Sequence, residues 1–215
     1  MKLTYTVQVC NESRELYSLL NFLSKTVDDE DEVNVVVDSN NVTDKVERVL
    51  EYFKQRITVF KRPFDSFYLN SQFHADQASG DYVFLIDADE MPQELLIKNL
   101  KDIIKNAGAE IIAVPRINIH PGATQEFIEK SKFTVNDAGF INWPDYQTRV
   151  FKNCEHIRWT DEVHTKLTGT DKIVGIRAEP KMALWHIKSI EKQESRWDDS
   201  GGFKTPNGSL YDLLM

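Results

Sequence analysis

The stretch Asp81-Tyr82-Val83-Phe84-Leu85-Ile86-Asp87-Ala88-Asp89-Glu90 decides how this chain is read. Its apolar run, Tyr82 to Ile86, lacks polar alternation, the pattern of a strand buried on both faces of a sheet. The run stops at Asp87, Asp89 and Glu90, and Met91-Pro92 then lead into a helical pattern. Carboxylates at the C-terminal end of a buried parallel strand stand where open α/β sheets bind ligands. Oxygen donors of this kind suit Mg²⁺ or Mn²⁺, ions usually held together with substrate phosphates. The plain alternative is a helix N-terminus dressed with acids that meet its dipole favourably.

Upstream, Tyr5, Val7 and Val9 alternate with Thr4, Thr6 and Gln8, which predicts a first strand. A helix capped by Asn11 or Ser13 follows, with the stripe Leu16, Leu19, Leu20 and Leu23. Asp28 to Glu32 reads as a solvated acidic loop, and Val33 to Val37 as a second strand ending at Asp38. A helix facing inward through Val42, Val46, Val49, Leu50 and Phe53 leads to a third strand, Ile57 to Phe60, broken by Arg62-Pro63. A third helix from Phe67 to Ser79 closes at Gly80. Downstream of the acids, Pro92 fits the first turn of a helix with Leu96, Leu100, Ile103 and Ile104 on one face. That helix ends at Gly108, and Glu110 to Val114 makes a fifth strand before Pro115.

Strands alternating with helices imply right-handed crossovers. The expected fold is therefore α/β: one Rossmann-like domain with a mostly parallel sheet covered by helices on both faces. Past Pro115 the pattern changes to an α+β portion, with loop from Asn136 to Pro144 and short strands at Gln147–Phe151, Ile173–Arg177 and Met182–Ile187. Lys188 to Glu194 reads as a solvated helix face, and residues 198–215 as a loosely ordered tail.

Composition narrows the classes. A formal charge of −8 over 215 residues argues against general nucleic-acid binding. No apolar stretch approaches the roughly 20 residues that span a bilayer, so membrane contact is expected to be at most peripheral. Two cysteines without metal spacing, and an N-terminus lacking the apolar core of a signal peptide, point to the cytoplasm. Asn11, Asn41 and Asn207 match the glycosylation pattern by chance on that reading.

Three strand ends carry polar residues that one crevice would collect: Asn11-Glu12, Asp38, and Asp87-Ala88-Asp89-Glu90. A carboxylate just past an early strand can take nucleoside hydroxyls, and an Asp pair can hold a divalent cation against a diphosphate. The plainer alternative for Asp38 is a strand-end turn former. Arg149, a charge within an apolar strand pattern, needs a partner, either a structural acid or a phosphate. Trp143 and Tyr146 either stack on a sugar or acceptor, or pack locally.

These residues resemble the family-2 glycosyltransferases of GT-A fold. The likeness lies in Asn11-Glu12, in Val35-Val36-Val37-Asp38-Ser39 and in the run Ala78 to Glu90. It continues through Trp143 to Phe151, Glu162-Val163-His164-Thr165-Lys166-Leu167 and Trp185-His186-Ile187, and spans about residues 4–197. The resemblance implies an inverting glycosyltransferase that moves a sugar from a nucleotide-diphosphate sugar to an acceptor hydroxyl, assisted by Mn²⁺ or Mg²⁺. It implies a nucleotide site at Cys10, Asn11, Glu12, Asp38, Asp87 and Ala88, and metal contacts from Asp89, His164 and His186. Arg149, Gln72, Trp143 and Tyr146 are the expected phosphate or acceptor contacts. The acceptor is open between glycan, lipid-linked sugar, protein and modified nucleic acid. One domain over 1–197 is expected, with a nucleotide half at 1–115 and an acceptor half at 116–197. Two departures stand out. Ser71-Gln72 replaces a basic residue and Asn in the third helix, and Thr165 replaces the acid usual after the His, so that Asp161 and Glu162 become the candidate catalytic bases. The alternatives are a non-catalytic nucleotide-sugar or glycan-binding module of the same fold, and, less favoured, an Asp-x-Asp phosphohydrolase.

Overall fold

A computed structural model describes residues 1–160 and 165–190. In chain order it runs β1 (Leu3–Val9), α1 (Ser13–Thr26), β2 (Glu32–Asp38), α2 (Asp44–Phe53), β3 (Thr58–Arg62), α3 (Phe67–Asp76), β4 (Tyr82–Asp87), β5 (Glu90–Pro92) and α4 (Glu94–Ala107). It continues with β6 (Ile111–Ile119), α5 (Gln125–Lys130), β7 (Ile141–Lys152), β8 (Arg158–Thr160), β9 (Lys166–Thr168), β10 (Ile173–Gly175), a 3₁₀ turn at Pro180–Met182, and β11 (Leu184–Ile187). Among the described residues, nine strands form one sheet in the order β3-β2-β1-β4-β7-β6-β11-β5, with β10 also on β6. The expected α/β architecture holds: β3, β2, β1 and β4 are parallel neighbours, as are β6 and β11.

The decapeptide behaves as its pattern requires. Phe84 and Ile86 pack in the core shared with α1, α2 and α4, and Val83 and Leu85 pack on the other face with Ala75, Phe151 and Trp159. Burial on both sides removes any need for alternation. On β1 the polar residues Thr4 and Thr6 are buried as well, while Gln8 is half-buried. Thr4 Oγ1 accepts from the Gly80 N–H (2.9 Å), and Thr6 Oγ1 lies 2.5 Å from His74 Nδ1.

Several local expectations are corrected. Glu12, not Asn11 or Ser13, occupies the N-cap of α1, and its side chain makes no capping hydrogen bond. The Glu12 carboxylate instead accepts from the backbone N–H groups of Cys10 and Asn11, each at 3.0 Å. The acidic loop before β2 is not all solvated: Asp31 accepts from the Leu3 N–H, and Glu32 opens β2 and accepts from Thr4 and Ser79. Pro92 closes β5 and α4 begins two residues later, because Glu90 to Pro92 are drawn into antiparallel pairing with β11. Gly108 does end α4, in the left-handed region at φ 59°, where a Cβ is unfavourable. The fifth strand runs through Pro115 to Ile119. β10 pairs with Ile111 to Ala113 and β11 with Arg116 to Ile119, so the proline falls between the two ladders. Residues 141–144, expected as loop, belong to β7, which inserts antiparallel between β4 and β6. Tail residues 198–215 lie outside the described residues.

Candidate active site

The site forms where β4, β5, β6, β7 and β11 bring their polar ends together. The pairing of β11 does most of the assembly: His186 lies between Asn118 on β6 and Glu90 on β5. Antiparallel β7, beside β4, delivers Arg149 to the acids that end β4.

A continuous chain of charges and amides results. Gln8 Nε2 donates to Asp87 Oδ1, and Asn70 Nδ2 donates to Gln8 Oε1 at 3.1 Å. Arg149 Nη2 donates to Asp87 Oδ2 (2.6 Å) and to Glu90 Oε1 (2.7 Å). Glu90 Oε1 also accepts from Arg116 (3.0 Å), and Arg116 donates through Nε and Nη2 to Asp145 Oδ2 at 3.0 and 2.7 Å. Asn118 Nδ2 donates to the same Asp145 oxygen (2.9 Å), and Asn118 Oδ1 lies 2.8 Å from His186 Nδ1. Burial pushes the Asp87 and Asp145 carboxyls up. The neighbouring guanidiniums outweigh it and hold both below the usual carboxylate range.

This chain fixes a tautomer. The ionised Asp145 only accepts, so the Asn118 amide must turn its NH₂ to Asp145 and its oxygen to His186. His186 Nδ1 therefore carries a proton, and Nε2 faces Asp89 Oδ2, 3.6 Å away. A histidine oriented by a side-chain acceptor, facing a carboxylate, is a donor pair of the kind divalent cations take. Among the described residues no cluster of three or more His, Cys, Asp or Glu has metal-binding geometry. Asp89 and His186 would be two protein contacts of an ion whose remaining ligands come from elsewhere.

Two cavities meet here. One of about 420 Å³ extends from Asp87, Ala88 and Asp89 past Gln8 and Arg149 to Cys10, Glu12, Asp38, Phe64 and Phe67. The other, of about 240 Å³, lies against Arg116, Asn118, His120, Phe133, Asp145 and His186. Asp87, Asp89 and Lys188 line both.

Not every candidate converges. Asp38 lines the larger cavity, but its carboxylate also shapes a turn, accepting from the N–H groups of Asn40 and Phe64 (both 3.1 Å) and from Asn41 Nδ2 (2.7 Å). Asn11 is buried beneath the strand end. Gln72 ties α3 to β8, accepting from the Trp159 N–H at 3.0 Å. Trp143 packs its ring against Phe140, and Tyr146 donates its hydroxyl to the Ile176 carbonyl (2.8 Å). Neither aromatic borders the two cavities. Asp161, Glu162 and His164 fall between β8 and β9, outside the described residues.

Sequence reasoning missed Arg116 and Asn118, which lie on β6 past Pro115, and it misread Lys188. Lys188 reads as the start of a solvated helix, yet it is 3% exposed and its ammonium lies 3.6 Å from Asp89 Oδ2. The spacing held the signal: Leu184, His186 and Lys188 alternate along one strand direction and are all buried.

Comparisons with known proteins agree with the fold. No curated protein matches the chain. Among solved structures, S. aureus TarS 1–349 matches with a TM-score of 0.61 at 16% identity, over 87% of this chain and 60% of that one. The same protein in complex with UDP-GlcNAc matches equally, at 0.61 and 16%, over 87% and 59%. The longer TarS structure gives 0.60 at 16%, over 89% of this chain and 37% of that one. This chain thus spans about three-fifths or less of these neighbours, and at such identity they speak for the fold. The model of glycosyl transferase family 2 matches residues 6–163, well over half of the chain. The chain belongs to glycosyltransferase family 2.

Proposed function

We propose that this chain is an inverting, divalent-cation-assisted glycosyltransferase that moves a sugar from a nucleotide-diphosphate donor to an acceptor hydroxyl. The observation that carries the reading is the Asp89–His186 pair, its tautomer set by Asn118, standing where the two cavities meet. The nucleoside would lie in the larger cavity toward Cys10, Glu12 and Asp38, and the sugar and acceptor would face the smaller one. Residues 1–115 then serve mainly the nucleotide and 116–197 the acceptor, in one domain, in a cytoplasmic setting. The complex of TarS with UDP-GlcNAc supports a nucleotide-sugar donor for a related fold.

Mn²⁺ or Mg²⁺, held by Asp89 and His186, would act as a Lewis acid on the departing diphosphate. Arg149 keeps Asp87 ionised and fixed at the cavity junction, within reach of a ribose or the ion's shell. Asp87 and Asp145 are held below the usual carboxylate range by their guanidiniums, so neither is a good proton acceptor, and Glu90 is buried between Arg116 and Arg149. We assign the base that deprotonates the acceptor to Asp161 or Glu162. That same scarcity favours a second reading, a non-catalytic nucleotide-sugar-binding module.

Assaying sugar transfer and donor hydrolysis over a panel of nucleotide sugars, with Mn²⁺ and with EDTA, tests both. Metal-dependent turnover that disappears in Asp89→Ala supports the enzyme. Full metal-dependent turnover in Asp89→Ala removes Asp89 from the reading, and nucleotide binding without turnover of any donor supports the module.

A further inference from the structure

We propose that the larger cavity ends in an acyl pocket, where Arg149 Nε and Trp159 Nε1 donate to the amide carbonyl of an N-acylated donor sugar. The inference rests on the nucleotide-sugar reading and names its donor class. Both nitrogens are buried, and among the described residues neither has a hydrogen-bond partner. Both side chains line that cavity, and Trp159 is only 8% exposed. A buried N–H without a partner is costly, and nearly all such groups in folded proteins are satisfied. The two donors are neighbours. The Trp159 ring packs edge-on against Phe151, two residues from Arg149 in β7, with centroids 5.7 Å apart. Helix α3 ties both to one place: Asn70 reaches Asp87 through Gln8, and Gln72 accepts from the Trp159 N–H. Arg149 is fixed, because it engages both Asp87 and Glu90 through Nη2. Trp159 stands on β8, which among the described residues pairs only with β9, outside the nine-stranded sheet. A small tilt of that ribbon lets one oxygen enter between the two N–H groups.

The sheet order puts this pair at the sugar end of the cavity. Asp38 ends β2, Asp87 ends β4, and Arg149 lies on β7, the next strand beyond β4. From β2 through β1 and β4 to β7 are three strand spacings, about 14 Å. With the nucleoside toward Asp38 and the diphosphate at Asp89, the β7 end is left for the sugar. A sugar ring at the junction turns its anomeric carbon to the smaller cavity and a neighbouring substituent into this pocket. The chemistry of the pocket selects that substituent. Arg Nε and Trp Nε1 only donate, and a hydroxyl placed between them would bring a proton of its own. A carboxylate would add a third anion to Arg149, whose charge Asp87 and Glu90 already match. An amide carbonyl is neutral and has two lone pairs. Gln147, on the same cavity wall, donates Nε2 to Asp145 (2.7 Å), which leaves its Oε1 for the amide N–H.

Isothermal titration in Mn²⁺ with UDP-GlcNAc, UDP-glucose and UDP-glucuronate tests this, beside GDP-mannose, ADP-glucose and dTDP-glucose for other bases. The wild type should bind UDP-GlcNAc about ten-fold or more tightly than UDP-glucose, as expected for two or three added hydrogen bonds. Trp159→Phe keeps an aromatic ring and removes the N–H. It should cut that preference about three-fold or more, with an unchanged circular dichroism spectrum. In the wild type, the Trp159 indole N–H resonance should move downfield with UDP-GlcNAc and less with UDP-glucose. That readout decides the matter if Trp159→Phe does not fold. Equal affinity for UDP-GlcNAc and UDP-glucose overturns the proposal, as does an unchanged preference in Trp159→Phe. Tightest binding of UDP-glucuronate makes the bound group a carboxylate and overturns it too. Binding confined to GDP-mannose, ADP-glucose or dTDP-glucose overturns the proposal and leaves the nucleotide-sugar reading intact. Failure to bind any of these sugars overturns that reading itself.

Discussion

Arg149 Nη2 stands 2.7 Å from Oε1 of Glu90, whose side chain is fully buried at the start of β5. The residue that looked like a phosphate ligand is thus first a brace for the acidic motif. Burial alone would lower the Arg149 pKa, but Asp87 and Glu90 together raise it above its ordinary value, so the guanidinium stays charged.

Replacing Arg149 by Met leaves Asp87 without its cation and Glu90 with Arg116 alone. Removing one partner of a buried pair typically costs about 3–5 kcal/mol. Urea unfolding of Arg149→Met at pH 7 should show a loss of that order. A loss under about 1 kcal/mol, the value of an exposed pair, would mean that the network is solvated.

If His186 holds the proposed cation, Asn118 acts on it through the hydrogen bond to Nδ1. Asn118→Ala removes the acceptor that holds the proton on His186 Nδ1. Losing an outer partner of a metal-bound histidine typically lowers metal affinity about 10- to 100-fold. Mn²⁺ titration followed by electron paramagnetic resonance should show such a loss, with the circular dichroism spectrum unchanged. Unaltered Mn²⁺ affinity would count against His186 as a ligand.

His74 is fully buried beneath the sheet, and no described partner reaches its Nε2. Burial, only partly opposed by the charge of Asp87, pushes its pKa down to about 3. The ring is neutral when folded, whereas the unfolded chain protonates it near pH 6.5. Its contribution to stability is complete above pH 6.5 and is lost as pH falls from there toward 3, at up to about 1.4 kcal/mol per pH unit. His120, also lowered chiefly by burial, adds in the same sense. Denaturant unfolding between pH 7 and pH 5 should show the decline before carboxylates titrate, and His74→Gln should flatten it. An unchanged slope in His74→Gln would remove His74 as its source.

Gly80 is packed against β1. A Cβ there would lie 2.7 Å from the Thr4 nitrogen and 2.8 Å from the Leu3 carbonyl carbon, atoms of a central strand that cannot move aside. Gly80→Ala should cost about 1–3 kcal/mol, as overpacking usually does. Thermal unfolding measures it, and a wild-type melting temperature would show that β1 gives way.

The sequence by itself determined the parallel half of the sheet and the end of the strand where the acids stand. These follow from local periodicity: the apolar run before Asp87, the Leu stripe of α1, and Gly108 past α4. Through resemblance it also named Asp89, His164 and His186 as candidate metal contacts, of which the structure describes Asp89 and His186 and sets them 3.6 Å apart. Only the tertiary structure decided what the acids are bonded to. β7 and β11 are short or irregular, and their places depend on pairing with β4, β6 and β5 far away in sequence. Until those pairings form, nothing sets Arg149 against Glu90, gives His186 its tautomer, or turns Lys188 from a surface charge into a buried ammonium. Alternation shows which side of a strand a residue takes; the partner strand decides what it meets there.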